Sequence, residues 1–183
     1  APNVRFETAE ASPSNCRQLM VDGEIDLAIG SWQPLGTGIY QQRLFVEGYV
    51  ALLSAEHELK AEKLELAEYL DAAHIVYRPS GASYDALHST LSELNVLDKR
   101  KVVLTAVHSL GLSTMVANSR LLLSVPERLA LAMMASRTGL RMAQLPFTVP
   151  LFPIKQQWHE QRHVDAGHQW LRRLVFDTFN DLP

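Results

Sequence analysis

Apolar residues fall along this chain in short clusters that alternate between two spacings, and the alternation predicts a succession of strands and helices. Val4 to Glu10 reads as a short strand. Ser12, Pro13 and Gly23 bracket a helix whose buried stripe is Cys16, Leu19 and Met20, with a hydroxyl at its start and a glycine stop. Ile25 to Ile29 is too short for a helix and apolar on both faces apart from Asp26, as in a parallel strand covered on both sides. Leu44 to Ser54 is a second extended segment, followed by a helix from about Lys63 to Leu70 and a strand at His74 to Tyr77.

Beyond Pro79 the pattern repeats. Leu87, Leu91 and Leu94 lie at i, i+4 and i+7 of a helix ending near Asn95, and Val102 to Ala106 is the next strand. A helix between Ser109 and Asn118, a strand at Leu121 to Val125 stopped by Pro126, a helix at Leu129 to Met134 and a strand at Leu140 to Leu145 follow. Val149 to Trp158 is extended, and its two prolines favour an edge or crossing position. Asp165 caps a last helix with Trp170, Leu171, Leu174 and Val175 on one face. Recurrent strand and helix units with short loops imply an α/β fold, with open parallel sheets covered by helices on both faces.

Composition narrows the function classes. With 183 residues, 47% hydrophobic and 20% charged, the chain has material for one domain or two small lobes. No apolar run approaches the ~20 residues of a bilayer crossing, and the first residues lack a signal peptide's basic and apolar regions. A single cysteine, Cys16, allows no internal disulfide and fits a reducing cytoplasm. The formal charge of -3 offers no basic excess for a phosphate backbone.

Candidate chemistry lies in the loops. In open α/β sheets ligands settle at the carboxyl ends of strands, over helix starts. Three loops qualify: Gly30, Ser31 and Trp32; Ser80, Gly81, Ala82 and Ser83, whose small residues and hydroxyls suit a carboxylate; and Val107, His108 and Ser109. The competing reading makes Ser80 or Ser83 a helix cap and Gly81 a turn residue. His159, Glu160 and His163 match HExxH, the zinc-hydrolase pattern, but the chemistry needs a helix there and the stretch reads as a strand end, with no evident third ligand. Cys16 sits on a core stripe, and no nucleophile elbow, P-loop or dinucleotide fingerprint is present, so no cofactor is implied.

Four stretches in order, Leu19 to Gly30 (LMVDGEIDLAIG), Ser54 to Leu59 (SAEHEL), Leu121 to Ala130 (LLLSVPERLA) and Gln157 to Arg172 (QWHEQRHVDAGHQWLR), resemble the effector-binding domain of LysR-type transcriptional regulators. The last stretch is similar to the branch of nodulation regulators and salicylate-responsive regulators of aromatic degradation. The resemblance implies a two-lobed fold like type II periplasmic binding proteins, without catalytic activity, closing over a small, aromatic inducer. It places one lobe at residues 1–73 plus 160–183 and the other at 74–159, with crossing strands near His74 to Arg78 and Gln156 to Glu160. It implies inducer contacts from Ser31, Trp32, Arg78, Ser80, Gly81, Ala82, Ser83, His108 and Thr114, and no metal.

The family's first strand and helix, and the winged helix-turn-helix before them, lie outside this sequence. As aligned, aromatic-acid sensors often have histidine where Ala82 stands and arginine where Gln161 stands, so the resemblance allows a less acidic inducer or one held by Arg78 or Arg162. It further implies a cytoplasmic regulator that self-associates as a dimer within a tetramer and meets DNA only through the winged domain. A solute-binding protein of the same fold and a small zinc hydrolase are the alternatives.

Overall fold

The computed structural model describes residues 3–32, 35–78 and 83–180. Within them the chain divides into two compact units: unit 1 contains residues 1–45 and 153–183, and unit 2 residues 46–152. The boundaries expected from sequence, 73/74 and 159/160, therefore differ from the observed ones. The reason is strand pairing: the segment read as one strand from Leu44 to Ser54 is two, β2 (Ile39–Glu47) and β3 (Tyr49–Ser54), in different sheets. Gly48 separates them.

Unit 2 holds a five-stranded sheet in the order β5-β4-β6-β3-β7, formed by β3, β4 (Ala73–Tyr77), β5 (Lys101–Ala106), β6 (Leu121–Pro126) and β7 (Leu140–Ala143). β4 is parallel to both β5 and β6, whereas β3 is antiparallel to both β6 and β7. The sheet is mixed, not wholly parallel. His74 to Tyr77 is accordingly an internal strand of this sheet rather than a crossing.

Helices cover both faces. Ala51, Leu53 and Leu122 point to one side, where α2 (Leu66–Asp71) brings Tyr69 and α3 (Ser83–Glu93) brings Leu87 and Leu91. Leu52, Ile75, Leu123 and Val125 point to the other, where α4 (Leu112–Ala117) and α5 (Glu127–Ser136) bring Leu112, Val116, Ala130 and Met133. That two-sided burial is why β3 and β6 read as continuous apolar runs. Buried His57 serves the fold: its Nδ1 accepts from Leu59 N at 3.1 Å and its Nε2 meets Arg120 O at 3.1 Å, tying the loop after β3 to the start of β6.

Unit 1 is built on a three-stranded sheet, β1-β8-β2, with β1 at Ala28–Gly30 and β8 at Phe152–His159. The expected parallel strand at Ile25 to Ile29 is shorter, antiparallel to β8 and exposed at Ile29. β8 is central in this sheet despite Pro153. Pro153 precedes the Lys155 to Gln157 register that pairs with β1, so its missing N–H costs that pairing nothing. Val4 to Glu10 forms no strand: Val4 and Phe6 are exposed, and no described strand pairs with them.

Helix α1 (Cys16–Val21) starts later than the sequence suggests, after a turn in which Ser12 bonds Asn15, and Gly23 at φ 74° ends it. Helix α6 (Ala166–Asn180) is capped as expected, with Asp165 Oδ1 accepting from His168 N at 2.7 Å. Its buried face is not the expected one. Trp170 and Leu174 are exposed at 41% and 42%, while His168 and Arg172 are buried.

Candidate functional site

In unit 2 the parallel relation of β4, β5 and β6 places their carboxyl ends along one edge of the sheet. The antiparallel register Tyr49↔Pro126 brings the start of β3 to the same edge. Segments distant in sequence therefore meet there: Arg78 after β4, the residues after Ala106, the start of α5 after Pro126, and Glu47 with Gly48.

Arg78 leaves β4 at this edge. Its backbone N donates to Ala106 O at 2.8 Å, which fixes the end of β4 against the end of β5, where His108 follows two residues later. Both side chains are exposed. Around them the surface is apolar: Val107 is exposed at 59% and Leu110 at 94%. Gly111, at φ 85°, lets the chain turn sharply from that loop into α4, and any other residue would be strained there. Thr114 lies in α4 with an exposed side chain, while its carbonyl accepts from Asn118 N at 3.2 Å. The structure thus brings Arg78 and His108 to neighbouring strand ends. Ser83 opens α3, and Ser80, Gly81 and Ala82 lie outside the described residues.

Ser31 and Trp32 belong to unit 1. Trp32 is buried, its ring packed over Gly30, where an added Cβ would lie 3.0 Å from the indole, and its carbonyl accepts from Gln157 Nε2 at 3.4 Å. Buried Gln157 Oε1 has no partner among the described residues. Sequence reasoning missed Glu47 at the strand-end edge of unit 2. Its carboxylate is buried and accepts from Gly48 N at 3.0 Å, and burial pushes its pKa up against the backbone N–H groups of Gly48, Arg128 and Glu127. An acidic residue ending a strand gives no local sign that its carboxylate will be buried.

A pocket of about 10 Å³ under α3, lined by Val76, Leu87, His88, Arg100 and Ser124 among others, is the size of one water and not of an organic ligand.

The HExxH stretch adopts a different geometry from a zinc helix. His159 ends β8, and residues 160–162 form one turn of 3-10 helix. His159 Nδ1 accepts from Gln161 N at 3.4 Å, while His163 Nδ1 accepts from Trp158 Nε1 at 3.3 Å. The His163 ring stacks on Tyr40 at 4.0 Å between centroids. No group of three His, Cys, Asp or Glu side chains able to hold a metal occurs among the described residues. The segment instead builds a core. Arg172 lies 4.4 Å over the Trp158 ring and donates to the carbonyls of Arg162 and His163 and to His168 Nδ1, while His168 Nε2 donates to Asp26 O at 2.7 Å.

Comparison with known proteins matches the family model described as LysR substrate binding domain over residues 1–180. The chain is 29% identical over 181 residues to the HTH-type transcriptional activator NahR of Pseudomonas putida, and 25% identical over 181 residues to the HTH-type transcriptional activator NagR of Ralstonia sp. Each match takes in 99% of this chain and 59% of the relative, so the chain spans about three fifths of the length of these regulators. The regulatory domain of MexT, a transcriptional activator in Pseudomonas aeruginosa, has the same fold at a TM-score of 0.78 and 23% identity, covering 98% of this chain and 86% of that one. The two α/β units are those of the type II periplasmic-binding-protein-like fold, and the chain belongs to the LysR substrate binding domain family.

Proposed function

We propose that this chain is the inducer-binding and oligomerisation part of a cytoplasmic LysR-type transcriptional regulator, that it performs no bond-making chemistry, and that its inducer is a small aromatic carboxylate or related phenol. The observation that carries the ligand class is the strand-end edge of unit 2. There a guanidinium and an imidazole, Arg78 and His108, follow the ends of two adjacent parallel strands, near the exposed apolar side chains Val107 and Leu110. A ligand with a compact anionic or phenolic head and a flat apolar body matches both parts.

Ser80, Gly81, Ala82 and Ser83 are proposed to hold the acidic head, and Thr114, Ser31 and Trp32 are the other proposed inducer contacts. Inducer binding works by differential affinity for a closed state, and a dimer or tetramer relays that state to a winged helix-turn-helix that contacts DNA.

The test is a thermal-shift series with salicylate, benzoate and phenol. Saturable stabilisation by at least one of these, weakened by Arg78→Ala, Ser80→Ala or Thr114→Ala, is the expected result. A flat response to all three, in a preparation that melts cooperatively, removes the aromatic ligand class.

A further inference from the structure

Within unit 1, the seam between β8 and α6 holds two imidazoles whose protons are dictated by their neighbours. Trp158 Nε1 donates to His163 Nδ1 at 3.3 Å, and an indole nitrogen can only donate, so this bond requires a bare Nδ1 and a neutral ring with its proton on Nε2. The two rings lie within 5° of parallel, and the His163 ring also stacks on Tyr40 of β2 at 4.0 Å between centroids. In α6, Arg172 Nη1 donates to His168 Nδ1 at 2.7 Å while His168 Nε2 donates to Asp26 O at 2.7 Å. A guanidinium has no acceptor either, so His168 is neutral here for the same reason.

His168 is buried, whereas His163 is half-buried and open to solvent protons. The groups around His163 come from every neighbouring element. Tyr40 faces it from β2 and Trp158 from β8, while from α6 Arg172 Nη2 donates to the His163 carbonyl at 3.0 Å and its guanidinium lies 4.4 Å over the Trp158 ring. On the turn itself, Arg162 is paired with Asp26 at 3.4 Å, the Glu160 carboxyl lies towards Gly38, and His159 Nδ1 accepts from Gln161 N. The Asp165 carboxylate accepts from His168 N. No carboxylate forms an ion pair with His163 among the described residues. A proton added to His163 Nδ1 therefore sets N–H against the indole N–H, and it puts a second positive charge on the residue whose carbonyl Arg172 already bonds.

The bond from Trp158 holds the turn from β8 into α6. Glu160 N, in that turn, donates to Gly38 O at 2.8 Å, one residue before β2, and the Tyr40 stack lies two residues further along. The far end of α6 has its own contact, Phe179 on Phe45 at 5.3 Å. We infer that Trp158 and His163 form a proton-operated latch: neutral His163 holds the turn between β8 and α6 to the start of β2, and protonation of its Nδ1 releases that turn while the strands stay folded. The latch works without the inducer.

Ring-nitrogen NMR of the whole chain between about pH 8 and 5, the range over which histidines change charge, tests the latch together with amide exchange at the same points. At the upper end His163 is expected as the Nε2–H tautomer, and on acidification protonation of its Nδ1 moves the Trp158 indole N–H signal along the same curve. Exchange of the Glu160 amide, corrected for its intrinsic pH dependence, then speeds up by about tenfold or more, the equivalent of one lost hydrogen bond, while amides of β6 and β8 keep their protection. His163→Gln, whose side-chain oxygen accepts from the indole but takes up no proton, keeps Glu160 protected throughout. A Trp158 signal that ignores the His163 titration overturns the latch, and so does Glu160 protection that survives protonation of Nδ1. The same acid-driven loss in His163→Gln also overturns it, because another group then carries the response. So does simultaneous loss across β6 and β8, which is acid unfolding and not release of a turn.

Discussion

His74 shows how one residue in β4 couples fold to pH. It is 0% exposed, its Nε2 bonds Tyr69 O at 2.6 Å, and its Nδ1 has no partner among the described residues. Burial, aided by the Arg100 charge and opposed by the Tyr69 bond, lowers its pKa from 6.5 to about 4. The unfolded chain therefore binds a proton that the folded chain refuses between those values. Stability is complete above pH 6.5 and falls as pH drops towards 4, by roughly 3 kcal/mol at about 1.4 kcal/mol per unit. Urea melts across this window should show that slope in the parent chain and lose most of it in His74→Leu. A slope unchanged in the variant would place the titration elsewhere. Cys16 is a second buried group in the same sense: burial pushes its thiol pKa up, which makes it a core filler and a poor nucleophile.

At the scale of the element, α6 reverses what its sequence pattern suggests. Trp170 and Leu174 face outwards, and Arg172 and His168 face inwards, because Arg172 finds four partners there: the Trp158 ring, two carbonyls and an imidazole nitrogen. Hydrophobicity alone ranks tryptophan inside and arginine outside, but a long charged side chain with its donors satisfied can replace it. Arg172→Ala is expected to cost about 3 kcal/mol or more, since it leaves buried acceptors unpaired. Trp170→Gln should change stability by about 0.5 kcal/mol at most, as for surface substitutions. Chemical denaturation of both variants checks the ranking, and the reverse order would show that the outward indole carries the helix.

A smaller case is the turn before β2. Gly38 stands at φ 81°, its carbonyl accepts from Glu160 N at 2.8 Å, and a Cβ there would meet the Glu160 carboxyl at 3.4 Å. Gly38→Ala should destabilise by about 1–2 kcal/mol, the left-handed penalty, and melting temperature is the readout.

The whole molecule decides what the histidine-rich segment is. Had residues 159–163 continued a helix, both imidazoles would share a face. They instead mark the exit of β8 from a three-stranded sheet, with one imidazole stacked on Tyr40 and bonded to Trp158. Purified chain equilibrated with zinc and then desalted should retain well under one equivalent by elemental analysis. Stoichiometric zinc, lost on His159→Ala, would return the hydrolase reading to consideration. The same scale corrects the domain limits, since β3 joins the sheet of unit 2 by pairing with β6 and β7, partners that lie far downstream.

Local physics fixed much of this in advance. The apolar periods located β4, β5, β6, α3 and α5 to within a few residues, Asp165 announced the start of α6, and the Leu19 to Gly30 and Ser54 to Leu59 stretches carried the family. These features depend on neighbours within about one or two turns, where spacing and capping chemistry act directly. Strand order, the antiparallel hand of β3 and β7, the inward turn of Arg172 and the bond from Glu127 N at the start of α5 to Gly48 O depend on residues brought together from far apart. No local spacing encodes such partners, because side-chain burial and hydrogen bonding are satisfied only once the distant segments meet.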